Sequence, residues 1–314
     1  MKVIFFGTPP FAAETLRYLL EKGINVVAVI SKPDRPKGRS GAPSPTPVKI
    51  IALNHRPPIP LHQPPLVSAP DFAATLQGYQ ADLFVVVAYG EIIKQHLLDM
   101  PRLGCINVHA SLLPKYRGAA PIQRCIINGE KETGVTIMHM VKQMDAGDMI
   151  EVAKVPIPPE MTYGELEQSL LEAGKKTLLK VIQEVGAGNV KRIPQDHTQA
   201  TLAPKIELED CEIRWDQPAE AIHNLIRGVN PHPGAWCYVN FRGEKKRLKI
   251  LRSRVQPYQG SDKPGTILPG GALLIATGKD ALVILELQLE GKKAMKADDF
   301  LRGIPLHDIL LNTF

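Results

Sequence analysis

Apolar positions group first at Lys2 to Phe6, ahead of a Gly7-Thr8-Pro9-Pro10 turn, and then recur at Phe11, Thr15, Leu16, Leu19 and Leu20. A continuous run followed by helical spacing predicts a strand and a helix ending near Lys22, which together make one βα unit. Asn25 to Ile30, Ala81 to Ala88 and Gly104 to Val108 are further short apolar runs, of the kind that fills a parallel sheet covered on both faces. Gly134 to Met140 predicts another strand. Leu166, Leu170, Leu171, Leu178, Leu179 and Ile182 predict a helix over 162–185 stopped by Gly186. After residue 206 the texture changes. Short strand-like runs at 236–241, 247–255, 265–267, 272–276 and 281–289 alternate with Gly-rich turns, and one helix is expected over 218–229.

The pattern predicts an α/β chain: a Rossmann-like, mostly parallel sheet with helices on both faces, then a smaller β-barrel. Residues 1–188 form the expected first domain, the polar and aperiodic stretch 189–205 a linker, and 206–314 the second domain. Eleven of the 28 prolines fall between Pro33 and Pro70, which forbids regular structure over much of that span and makes 32–47 an exposed loop.

Composition narrows the classes. At 314 residues and 44% apolar content, two domains of an ordinary globular protein are expected. No apolar run reaches the roughly 18 to 20 residues of a membrane span, and the start is too quickly interrupted for a secretory signal, so a cytoplasmic protein without membrane contact is expected. Cys105, Cys125, Cys211 and Cys237 are scattered, which indicates neither zinc nor a disulfide framework. Cys105 stands two residues before Asn107 and reads either as an apolar filler on a strand or as a nucleophile.

The formal charge of +6 is local. Lys32, Arg35, Lys37, Arg39 and Lys49 face a single carboxylate, Asp34, within 32–49. Arg242, Lys245, Lys246, Arg247, Lys249, Arg252 and Arg254 face only Glu244 within 242–254. The remainder of the chain is net acidic. Two concentrated basic segments suit a partner that presents phosphates in two places.

The chemistry concentrates in Asn107-Val-His109-Ala-Ser111-Leu112-Leu113-Pro114-Lys-Tyr-Arg117-Gly118 and Met144-Asp145-Ala-Gly147-Asp148. Alternate residues of a strand share a face, so Asn107 and His109 point the same way. When an amine attacks an acyl carbon, the carbonyl oxygen gains negative charge and the nitrogen gains positive charge. The Asn107 amide can donate to the first, and the His109 imidazole can donate to the first when protonated or take the proton of the second when neutral, with Asp145 to orient the ring or relay the proton. No serine or cysteine is needed, which favours direct transfer over a covalent acyl-enzyme. The first turn lacks Gly-x-Gly-x-x-Gly, which argues against a nicotinamide enzyme. The intact amide, imidazole and carboxylate argue against a binding module without catalysis.

These residues resemble the folate-dependent formyltransferases, which share Asn-x-His-x-Ser-Leu-Leu-Pro followed by an Asp-x-Gly loop. The resemblance runs over nearly the whole chain, through Gly7-Thr8-Pro9, Lys32-Pro-Asp-Arg-Pro, Val87-Ala88-Tyr89-Gly90 and Pro231-His232-Pro233-Gly234-Ala235-Trp236. It implies Asn107, His109 and Asp145 as the catalytic trio and 10-formyltetrahydrofolate as formyl donor, with no metal. The folate is expected along Ala88, Tyr89, Gly90, Ser111, Leu112, Leu113, Pro114 and Gly147. The resemblance also implies an OB-like second domain that contacts tRNA and a loop at 33–47 that reaches the acceptor end, with Arg39 as its key contact. Lys32, Arg35, Lys37, Arg39, Arg242, Lys245, Lys246, Arg247 and Lys249 are the expected nucleic-acid-binding residues. The implied acceptor is the free amino group of initiator methionyl-tRNA, formylated for translation initiation by a monomer taking one tRNA. A small amine, glycinamide ribonucleotide or an amino-sugar, is the alternative.

Overall fold

The computed structural model describes residues 1–36, 41–303 and 309–311. Two compact units emerge. The first comprises 1–118, 133–155 and 167–202; the second comprises 119–132, 156–166 and 203–314.

The first unit is built on one sheet whose strands lie in the order Leu61–His62, Val26–Ile30, Val3–Gly7, Leu83–Val87, Cys105–His109, Glu132–His139, Met149–Pro156. The first five pair in parallel, and Glu132–His139 runs antiparallel to Cys105–His109. Val3, Ile4, Phe5 and Phe6 are wholly buried, as a strand covered on both faces requires. The helix Pro10–Glu21 follows it directly, buried through Ala12, Ala13, Thr15, Leu16 and Leu19. The Met149–Pro156 strand is not among those the apolar pattern predicts. Its alternation of apolar residues with Glu151 and Lys154 belongs to a sheet edge rather than to a buried run.

Proline punctuates the segment 33–70 without excluding helices from it. Pro47 opens the helix Pro47–Asn54, where the Thr46 hydroxyl accepts from the Lys49 N–H at 3.3 Å, and Pro70 opens Pro70–Gly78. Proline costs nothing in the first turn, where its missing N–H would have had no helical partner. The stretch 189–205, expected as a linker, is tied to the first unit as far as Leu202. Ile193 exchanges backbone hydrogen bonds with Met149, and Gln195 is 5% exposed.

The second unit carries an antiparallel sheet in the order Ile267–Leu268, Leu274–Ala276, Ala281–Leu289, Glu244–Gln256, Ala235–Phe241, Ile309–Leu311, with Met295–Lys296 beside Ala281–Leu289. It curls as a half-barrel, which is the form the expected barrel takes among the described residues. The helix Ala219–Gly228 supplies Ala219, Ile222 and Ile226 to a core with Trp215, Val239, Leu248, Ile250 and Leu287. Among the described residues no helix is long and apolar enough to cross a membrane, and no group of His, Cys, Asp or Glu is arranged to hold a metal ion.

The helix Tyr163–Gly186 begins with a reciprocal cap in the second unit. The Glu165 carboxylate accepts from the Thr162 N–H and hydroxyl at 2.8 Å, and the Glu165 N–H donates to the Thr162 hydroxyl at 3.4 Å. Arg252 adds a 2.8 Å ion pair. The Thr162 N–H first and Arg252 second hold the Glu165 carboxyl down at about 2, against its ordinary 4.5. A depressed carboxyl contributes stability that is complete above its unfolded value and lost as pH falls toward its folded value. The thermal midpoint is therefore expected to fall between pH 4.5 and about 2, and Glu165→Gln to flatten that part of the profile in a melting series.

Candidate active site

Thr136 of the antiparallel strand stands opposite His109, at the end of Cys105–His109. His109 is 5% exposed, while Asn107, on the same face, is half-buried and its amide has no side-chain hydrogen bond among the described residues. His109 Nε2 lies 2.9 Å from the Tyr116 carbonyl oxygen. A carbonyl only accepts, so Nε2–H donates to it, and the neutral ring carries its lone pair on Nδ1. Nδ1 is 3.6 Å from Asp145 Oδ2, and the same oxygen accepts from the Gly118 N–H at 2.9 Å. Nδ1 is therefore the nitrogen that takes or gives a proton, with a fixed carboxylate beside it to offset the charge of an imidazolium.

The loop after His109 closes on itself and on the sheet. The Thr136 hydroxyl donates to the Ser111 carbonyl at 2.7 Å and accepts from the Leu113 N–H at 3.2 Å, while the Ser111 hydroxyl donates to the Lys115 carbonyl at 2.6 Å. Thr201 then anchors the Tyr116 and Arg117 N–H groups at 2.9 and 2.8 Å. These bonds hold Tyr116 and Gly118 where one meets His109 and the other meets Asp145.

Asp145 sits in the left-handed region at φ 49°, where an aspartate is tolerated better than most side chains. Two residues on, a Cβ at Gly147 would lie 1.9 Å from the His139 carbonyl oxygen. The glycine expected to admit a ligand is thus needed first for the close return of the loop over its own strand. Gln195 secures that return by donating from Nε2 to the Asp145 and Gly147 carbonyls at 2.9 and 2.7 Å. Nothing in the sequence announces Gln195, which lies about fifty positions from the loop in an aperiodic stretch.

The expected folate residues divide by where their side chains lie. The Tyr89 ring is 2% exposed and meets Phe6 edge-on at 5.6 Å, with its hydroxyl pKa pushed up by burial first and by Glu91 second. Ser111 and Leu113 are also buried. Ala88 and Gly90, at φ 46° and 87°, are exposed, and Leu112 and Pro114 are half-buried. Beside these stand apolar side chains that no period marks: Ile92 is 71% exposed, Met144 60% and Val141 44%. Met140, at the root of the second loop, packs on the cluster holding Tyr89 and Ile93, so the two loops share a base. Exposed apolar groups on two jointly rooted loops fit a flat, largely apolar ligand. Cys105 is 3% exposed with its thiol pKa pushed up by burial, a filler and not a nucleophile.

The described basic residues differ in what holds them. Lys32, expected to meet nucleic acid, is paired with Glu91 at 2.5 Å with both side chains largely covered. Lys49 is likewise paired with Asp34 at 2.6 Å, and its hydrogen bond holds the Asp34 carboxyl below the usual range. Arg35 is exposed on the short strand Arg35–Pro36; Lys37 and Arg39 lie outside the described residues. In the second unit the pleat separates the run 242–254. Lys245, Arg247 and Lys249 stand opposite Asn240, Tyr238 and Trp236 on one face, with the Lys245 ammonium 4.1 Å from the Tyr238 ring and the Arg247 guanidinium 4.7 Å from that of Trp236. Lys249 also donates to the Pro233 carbonyl at 2.8 Å. Lys246 falls on the other face, paired with Glu244 at 2.8 Å, and Arg242 stacks on Phe241 at 5.4 Å.

Residues 1–182 match the profile of the formyl transferase family, and 205–305 match that of the formyl transferase C-terminal domain. The chain belongs to the formyl transferase family. Among its formyl transferase relatives, the methionyl-tRNA formyltransferase of Protochlamydia amoebophila is 65% identical over 97% of this chain and 95% of its own length. That of Chlamydia muridarum is 48% identical over 96% of both. In solved structures the fold is shared with an N-formyltransferase from Helicobacter canadensis in complex with folinic acid and dTDP-3-aminofucose. That likeness has a TM-score of 0.67 at 20% identity and covers 90% of this chain and 98% of the other. HypX from Aquifex aeolicus, in complex with tetrahydrofolic acid, gives 0.64 at 18% identity, covering 96% of this chain and 47% of the other.

Proposed function

We propose that this formyl transferase moves the formyl group of 10-formyltetrahydrofolate to the free amino group of initiator methionyl-tRNA, giving formylmethionyl-tRNA for translation initiation. The near-full-length 65% identity to a relative named methionyl-tRNA formyltransferase carries the choice of acceptor. Asn107, His109 and Asp145 are its catalytic residues.

Bound to the exposed apolar groups of the two loops and to Leu112 and Pro114, the folate supplies an activated formyl carbon. The Asn107 amide, which has no side-chain partner among the described residues, donates to the formyl oxygen as it gains charge. His109 Nδ1 takes the proton from the attacking amine and passes it to the folate nitrogen as the bond from that nitrogen to the formyl carbon breaks, while Asp145, held by the Gly118 N–H, offsets the charge the ring carries in between. The lone pair on Nδ1, fixed by the Tyr116 carbonyl, readies the ring for that role before the amine arrives. RNA phosphates are met by the exposed Arg35, by Lys37 and Arg39, and by Arg242, Lys245 and Arg247 of the second domain, 206–314. Lys32, Lys246 and Lys249 hold protein groups in place.

The test offers the protein 10-formyltetrahydrofolate with methionyl-tRNA, glycinamide ribonucleotide or a nucleotide-linked amino-sugar in turn. Formylation of methionyl-tRNA, with an affinity that falls steeply as salt is raised, is the expected result. Preferential formylation of either small amine would replace the reading.

A further inference from the structure

We propose that Arg117 and Gln195 are positioning residues which set the shape of the Asp145 loop and, through it, the distance between the catalytic carboxylate and His109. The proposal rests on the trio assigned above and extends it to two side chains that do not touch the reacting atoms.

Arg117 is 6% exposed, and among the described residues it meets no carboxylate. Its Nε and Nη2 donate instead to one atom, Gln195 Oε1, at 3.1 and 2.6 Å, and Nη2 also reaches His197 Nδ1 at 2.9 Å. A side-chain amide has two nearly isosteric ends and is free to turn over. A guanidinium donates and never accepts, so Arg117 can pair only with the oxygen end. That fixes the Gln195 NH2 toward the loop, where its two hydrogens meet the Asp145 and Gly147 carbonyls. Both carbonyls flank the point at which the loop doubles back, next to an aspartate at φ 49° and a glycine with no room for a Cβ. Without the two donors, the turn itself loses its side-chain anchors, and the Asp145 carboxylate is left to its contact with the Gly118 N–H while the loop keeps the bonds of His139 to Asp148 and Ala146 to Gln143.

The arrangement is economical in chain terms. Tyr116 orients His109, Arg117 orients Gln195, and Gly118 holds Asp145, so three consecutive residues fix the ring, the loop and the carboxylate. Thr201, six positions after Gln195, ties Tyr116 and Arg117 down by their N–H groups.

Gln195→Glu separates positioning from simple neutralisation of a buried cation. The carboxylate gives Arg117 an ideal partner, so a merely structural role is satisfied or improved. It has no hydrogens for the Asp145 and Gly147 carbonyls, so the relay is broken. In the full-length protein, single-turnover formyl transfer is expected to fall on the order of tenfold or more, with KM for methionyl-tRNA and the melting temperature little changed. Hydrogen exchange is expected to quicken in a peptide covering 141–148 and not elsewhere. Arg117→Lys, which keeps the charge but loses the fork, is the second variant, with a smaller loss of the same kind. Wild-type transfer and unchanged exchange at 141–148 in Gln195→Glu would overturn the proposal, as would a wild-type rate in Arg117→Lys. Because exchange is read without substrate, failure of the relay is distinguishable from failure of the methionyl-tRNA reading, which the unmutated protein tests by itself.

Discussion

His109→Ala is expected to lower single-turnover formyl transfer by about 10²- to 10⁴-fold, the range usually lost with a positioned acid or base, while leaving affinity for methionyl-tRNA nearly unchanged. The ring is buried at the end of its strand, its Nε2 hydrogen is committed to the Tyr116 carbonyl, and its Nδ1 faces Asp145 at 3.6 Å. Alanine removes the imidazole at that position and leaves Asp145 held by Gly118 without the ring it faced. The measurement is a rapid-quench time course at saturating donor, beside a filter-binding isotherm for the RNA. A mutant with an unaltered rate would remove His109 from the chemistry.

Gly147→Ala is expected to do comparable damage from one methyl group outside the trio. Its Cβ would meet the His139 carbonyl oxygen at 1.9 Å and the carbonyl carbon at 2.9 Å, and neither is a flexible side chain that can move aside. The loop must open, carrying Asp145 with it. A shift of about 1 Å in a catalytic group can cost on the order of 10² in rate. Overpacking of this kind also destabilises by roughly 1–3 kcal/mol. The expected pair of results is a rate loss larger than the fall in melting temperature would explain, measured well below the melting transition. An active Gly147→Ala would mean that the carboxylate does not depend on this return of the chain.

The site was partly legible before the structure. Asn107 and His109 stand two apart on an apolar run, and a strand's period of two puts them on one face whatever the rest of the fold does. Long apolar runs such as Val3–Gly7 and Leu83–Val87 were legible for the same reason, since a buried parallel strand leaves an unbroken signature. The side-chain direction of Tyr89 was not. In the turn after a strand the alternation lapses, and the ring goes into the core with Phe6 while Ile92 goes out. Charge was legible as a total but not as a surface. Lys32 and Lys49 carry the sign expected of an RNA contact, yet each has a carboxylate brought to it from elsewhere in the chain, Glu91 and Asp34. The helix Pro47–Asn54 was masked by the count of prolines, which says nothing of whether a proline opens a helix or breaks one. Arg117 stood in the block that drew notice, but Gln195 and the pairing of the two were invisible because their meaning lies in a contact between residues 78 positions apart.

Direct passage of the formyl group to an amine on tRNA is the centre of this account, and a pulse of donor labelled in the formyl carbon tests it. Enzyme, labelled 10-formyltetrahydrofolate and methionyl-tRNA are mixed for a single turnover, quenched at short times and separated into protein, RNA and folate. The account predicts that label leaves the folate and appears on the methionyl amino group at the same rate, with none held covalently by the protein at any time. Label accumulating on the protein before reaching the RNA, or label never reaching methionyl-tRNA, would contradict it.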